Sequence, residues 1–71
     1  MNNNQEVKVN IVIPNCTYKN ARGLDRLGWE VEYDGKDINV FTTLDRVNTV
    51  YVAMNVVGID YLVKNVEIKL M

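Results

Sequence analysis

Val7, Val9, Ile11 and Ile13 alternate with Lys8, Asn10 and Val12, and Val66, Ile68 and Leu70 alternate with Asn65, Glu67 and Lys69. A period of two with the apolar set on one side predicts strands of a sheet that is covered on one face and wet on the other. The first strand is expected from about Glu6 to Ile13, where Pro14 removes a backbone donor and ends it. A second strand follows from Trp29, Val31 and Tyr33 alternating with Glu30, Glu32 and Asp34. In a third, Ile38, Val40 and Thr42 share one side, opposite Asp37, Asn39 and Phe41. Asp34-Gly35 between those two runs predicts a tight hairpin.

The stretch after Pro14 reads as a short helix ending near Leu27, with Asn15 or Thr17 placed to cap it. Ala21, Leu24 and Leu27 are expected to face inward, and Gly28 suits the left-handed position past the helix end. Gly23 inside this segment costs roughly 1 kcal/mol relative to alanine, so the helix should be short or bent.

Residues 44–57 admit two readings. Val50, Val52, Met54 and Val56 alternate, and the β-branched content suits a strand. Leu44, Val47, Tyr51 and Met54 recur instead at three- and four-residue spacing. Thr43 can cap the start, Asp45 favours the first turn, and Gly58-Ile59 resembles a helix stop with its hydrophobic contact. The run is also long for one strand, so helix is preferred. As a strand, the segment would turn the fold into a small β-rich sandwich or barrel.

With the helix, the element order is βαββαβ, which resembles the ferredoxin-like α+β superfold: a two-layer sandwich of a four-stranded antiparallel sheet backed by two helices. The resemblance is one of architecture, and superfolds host unrelated functions. A single domain is expected over residues 6–71, preceded by a loose polar start at 1–5.

With 71 residues, just under half of them hydrophobic, the core is small and a second copy would help stabilise it. Self-association is therefore expected. A net charge of −1 with mixed signs makes nucleic acid an unpromising partner. A single cysteine excludes an internal disulfide framework, and neither a signal-like segment nor a membrane-length apolar run is present. A cytoplasmic location is the expectation. Abundant asparagine with scarce alanine and proline suits an AT-rich coding sequence, as in many low-GC bacteria and their phages, and so short a polypeptide is common among mobile-element products.

Little supports catalysis. The chain contains no histidine and no serine, no acid pair is spaced to converge in an apolar pocket, and no glycine-rich phosphate loop can be drawn. No catalytic residue, cofactor or metal site is assigned. Heavy-metal-associated domains of this architecture carry Met-x-Cys-x-x-Cys in the first strand-to-helix loop. Here Cys16 stands alone and Lys19 occupies the second cysteine position, so Cys16 reads as structural.

Two candidate surfaces remain. Lys19, Arg22 and Arg26 fall on one face of the first helix, with Tyr18 before them and Trp29 after. Such a stripe can hold an anion, Tyr18 or Trp29 stacking on a base, although the plainer reading is a solvated helix face partly neutralised by Asp25. Phe41 and Val12 lie on the open side of the sheet, where one aromatic among glutamates is too few for the base stacking of RNA-recognition motifs and fits a protein contact better. Asn48, Val52, Asn55 and Val56 form an amide-ringed apolar patch on the second helix, either an interface or a packing surface for the first helix.

The function expected is a small non-enzymatic regulatory or inhibitory protein that binds a protein partner, directed at a host enzyme or defence component. The alternative is a homo-oligomeric sensor or sponge that sequesters an anionic nucleotide-like ligand between subunits.

Overall fold

A computed structural model describes residues 7–71, so the expectations for residues 1–5 and for Glu6 lie outside the described residues. The chain forms β1 (Lys8–Ile13), α1 (Tyr18–Arg26), β2 (Glu30–Tyr33), β3 (Ile38–Thr43), α2 (Val47–Val57) and β4 (Glu67–Leu70). The strands make one antiparallel sheet in the order β2-β3-β1-β4, the ferredoxin-like arrangement expected from the pattern.

Alternation sets the two faces. Val9, Ile11 and Ile13 of β1 and Ile38 and Val40 of β3 are fully buried beneath Leu24 of α1 and Val50 and Met54 of α2. The register places Asn10 opposite Phe41 and Val12 opposite Asn39 on the other face, where all four are half-buried.

Local chemistry explains the helix ends. Thr17 caps α1: its hydroxyl oxygen accepts from the Asn20 N–H (3.2 Å), and Asn20 Oδ1 accepts from the Thr17 N–H (3.0 Å). Asn15 takes a different role, with a left-handed φ of 57° and its N–H donated to Asp37 Oδ1 at 3.1 Å. At the far end, Gly28 and Trp29 donate to the Asp25 and Leu24 carbonyls at 2.9 and 3.3 Å, and Gly28 has a φ of 100°. Gly58 and Ile59 repeat this motif on α2, donating to Asn55 and Met54 at 3.1 and 2.9 Å, with Ile59 buried. Residues 47–57 are therefore helical: burying Val50, Ala53 and Met54 outweighs the β-branched preference of the segment.

Several expectations are corrected. Leu27 does not face inward. Three helical steps advance about 300°, so the third residue of an i, i+3, i+6 series has rotated well off the first, and Leu27 is 48% exposed. Thr43 makes no side-chain cap. Its hydroxyl donates to the Asp45 carboxylate while Leu44–Arg46 forms a 3-10 turn ahead of α2. A second 3-10 segment, Asp60–Asn65, precedes β4 and lacks a periodic signature. Finally, Ile68 and Leu70 pair with Ile11 and Val9 and so lie on the helix side of the sheet, yet they are 39% and 73% exposed. The helices stop short of this edge strand.

Gly23 also gains a meaning beyond helix weakening. A Cβ there would lie 3.1 and 3.2 Å from the two methyls of Val57, so glycine lets α1 approach the end of α2.

Candidate functional site

The outer surface of the helix layer is where the two candidate sets meet. Tyr18, Lys19, Arg22 and Arg26 of α1 line one open groove of about 700 Å³ with Leu27, Val56 and Val57. A neighbouring depression of about 320 Å³ is lined by Leu27, Trp29, Arg46, Val52, Ala53 and Val56. Leu27 and Val56 belong to both walls and form a ridge between them. Val52 and Val56 are 63% and 68% exposed, whereas Ala53 beside them packs inward.

The two depressions carry one sign of charge, while Asp25 lines a third one beside Tyr18 and Arg22. Lys19, Arg22, Arg26 and Arg46 line the two depressions and no carboxylate does. Among the described residues the one ion pair, Lys69–Glu67 at 3.8 Å, lies elsewhere on β4. Arg22 is held in place locally, its Nη1 donating to the Tyr18 hydroxyl at 3.3 Å with the guanidinium carbon 5.9 Å from the ring centroid. That contact, with Asp25 beyond it, raises the guanidinium pKa above its ordinary value, although arginine is a cation at any working pH without it. Tyr18 in turn sits 6.4 Å from the Tyr33 ring, tilted by 53°.

The sequence-based candidates do not all converge. Trp29 lies in the second depression and not beside the Lys19–Arg22–Arg26 stripe. Val12 and Phe41 occupy the opposite face of the molecule, where Glu30 and Lys8 border Phe41. One flat partner surface cannot touch both them and Val52–Val56. Asn48 and Asn55 are exposed on α2 and line neither depression. Leu27 and Arg46 are the residues that sequence reasoning missed: Leu27 had been assigned to the core, and Arg46 lay within the 44–57 segment without being assigned to either surface. The only signal for Arg46 is its place one turn ahead of Thr49, which lines the same depression.

Cys16 is a packing residue. Its N–H donates to the Lys36 carbonyl at 2.7 Å, its carbonyl accepts from the Tyr33 hydroxyl at 2.8 Å, and its thiol points at the Ile13 and Pro14 carbonyls. Burial, with Asp37 nearby, pushes the thiol pKa up, which opposes formation of the nucleophilic thiolate. No cluster of metal-ligating side chains is found among the described residues, and none of their helices is long and apolar enough to cross a membrane.

No protein-family model, curated protein or solved structure matches this chain.

Proposed function

We propose that the protein is a non-enzymatic regulatory or inhibitory binder that docks a protein partner across the outer face of its two helices. The observation that carries this reading is the exposed ridge of Leu27 and Val56, with exposed Val52 beside it, between four cations and with no carboxylate in either flanking depression. Apolar anchors bury area and the surrounding charge steers and orients, a division of labour typical of protein interfaces. The partner surface that complements it is an apolar stripe edged by aspartate or glutamate. The asparagine-rich composition suits a phage or mobile element as source, and the target proposed with it is a host enzyme or defence component.

The shared groove also favours a second reading, sequestration of an anionic nucleotide-like ligand by Tyr18, Lys19, Arg22 and Arg26. Its volume is of ligand size, but small-molecule sites bury most of their ligand and this groove is open. A second subunit would have to close it.

The experiment is affinity capture and native mass spectrometry on wild type, Val56→Glu and Arg22→Ala/Arg26→Ala, each checked for an unchanged circular dichroism spectrum. Loss of one specific protein with Val56→Glu, and salt-sensitive weakening with the arginine pair, is the expected result. A nucleotide-sized adduct that disappears only with the arginine pair would replace this reading by the second. Binding unaffected by either variant removes the helix face from consideration.

A further inference from the structure

β4 closes one side of the sheet with its outer backbone unpaired among the described residues. The Met71 N–H donates to the Lys8 carbonyl at 3.0 Å, and backbone groups alternate sides along a strand. Residues 67, 69 and 71 therefore bond to β1, and the N–H and C=O of Ile68 and Leu70 point outward. Long unpaired edges are templates for another strand, and proteins usually guard them with charge, bulges or cover. Here the side chains above the edge are apolar and uncovered: Ile68 and Leu70 lie on the helix side but beyond the helices' reach.

The five residues Val66-Glu67-Ile68-Lys69-Leu70 are complementary to themselves read backwards. In an antiparallel pair centred on Ile68, Ile68 meets Ile68 of the copy, Val66 meets Leu70, and Glu67 meets Lys69 twice. The hydrogen-bonding parity agrees with this register. Ile68 exchanges both backbone bonds with its counterpart. The Leu70 N–H reaches the carbonyl of Val66, whose own N–H is already given to Val63 at 3.3 Å. Glu67 and Lys69 then fall at non-hydrogen-bonded positions, where cross-strand side chains come closest. The existing Glu67–Lys69 pair would become a four-charge cluster on the open face.

The other edge lacks this property. β2 reads Glu30-Val31-Glu32-Tyr33, and self-pairing centred on Val31 sets glutamate against glutamate. Pairing β4 with β2 of a copy leaves Glu67 or Lys69 facing a glutamate, so at best one contact is attractive. It would also extend without closing.

We propose that β4 is a homodimerisation edge, joining two copies through a twofold axis at Ile68 into one continuous eight-stranded sheet. The helix-face grooves stay open in both copies, so this inference is independent of the partner-binding reading.

Charge reversal tests it on the full chain by analytical ultracentrifugation over a concentration series. Glu67→Lys alone and Lys69→Glu alone place like charges at both symmetric contacts, and each should raise the dimer dissociation constant about tenfold or more. The double swap Glu67→Lys/Lys69→Glu should restore the wild-type value, and mixing the two single variants should give a heterodimer. Val56→Glu should leave the dimer intact. A wild type that stays monomeric at every concentration overturns the proposal. So does a dimer that ignores the single reversals, or one that Val56→Glu dissociates.

Discussion

An alanine at position 23 would place its Cβ 3.1 and 3.2 Å from the Val57 methyls, nearer than side chains ordinarily approach. Two effects of similar size then oppose each other. Within a helix, glycine to alanine gains roughly 1 kcal/mol from backbone entropy. Overpacking a close contact costs about 1–3 kcal/mol, and the lower end applies because Val57 is half-buried near the end of α2 and can shift by a few tenths of an ångström. Gly23→Ala alone should therefore change stability by less than about 0.5 kcal/mol, the two terms nearly offsetting. In a Val57→Ala background the obstruction is gone, and the same substitution should stabilise by about 1 kcal/mol. The coupling in the double-mutant cycle is then about 1 kcal/mol. For a domain of this size that corresponds to a Tm difference of about 4–8 °C, readable by thermal melts followed by circular dichroism and by urea titration. Equal gains of about 1 kcal/mol in both backgrounds would show that α1 and α2 are not held at this distance, and would refute the reasoning.

The remaining expectations concern caps, turns and the buried thiol. Thr17→Ala removes half of the reciprocal cap with Asn20 and should cost about 1 kcal/mol, whereas Thr17→Ser should stay close to wild type; equal losses would contradict the capping role. Gly58 has a φ of 89° and a Cβ added there would meet nothing within 4 Å, so Gly58→Ala should lose about 1–2 kcal/mol through backbone strain alone and Gly58→Asn less, as thermal melts would read. Asp34 Oδ1 accepts from the Asp37 and Lys36 N–H groups at 2.7 and 2.9 Å, which hold its pKa below the ordinary 3.8. Its contribution is full above that ordinary value and is lost as pH falls through the lower folded one. Tm should thus fall less steeply between about pH 5 and pH 2 in Asp34→Asn than in wild type, and parallel profiles would count against the turn. Cys16 should resist a thiol-labelling reagent at about pH 8 until denaturant is added, and rapid labelling of the native protein would show the loop to be open.

Much of the fold could be read along the chain because its signals are local. Alternation named the strands, Asp34-Gly35 marked the hairpin now seen with Gly35 at a φ of 97°, and both glycine stops fall where a left-handed residue was wanted. These features depend on a few neighbouring residues and on backbone sterics, so sequence alone suffices for them. The interior of α2 was already ambiguous at that level: Met54 stood in both periodic series and Val50 only in the alternating one, and burial of both against the sheet decides for the helix.

The candidate site was legible in part for the same reason. Lys19, Arg22 and Arg26 share a helix face by geometry alone, and the structure keeps them in one groove. What lies across that groove follows from how two helices cross, a relation between residues far apart in the chain such as Lys19 and Val56. Leu27 turns outward by rotation along its own helix, and Val12 and Phe41 lie on the other face of the sheet by alternation; what the helix crossing adds is that Leu27 and Val56 border the same groove. Alternation likewise determined which way Ile68 and Leu70 point. Whether anything covers them depended on where the helices end above the sheet, and there they leave the apolar side of β4 bare. Sequence settled the faces of each element; the tertiary structure decided which faces are left for another molecule, because cover is a property of neighbours in space and not along the chain.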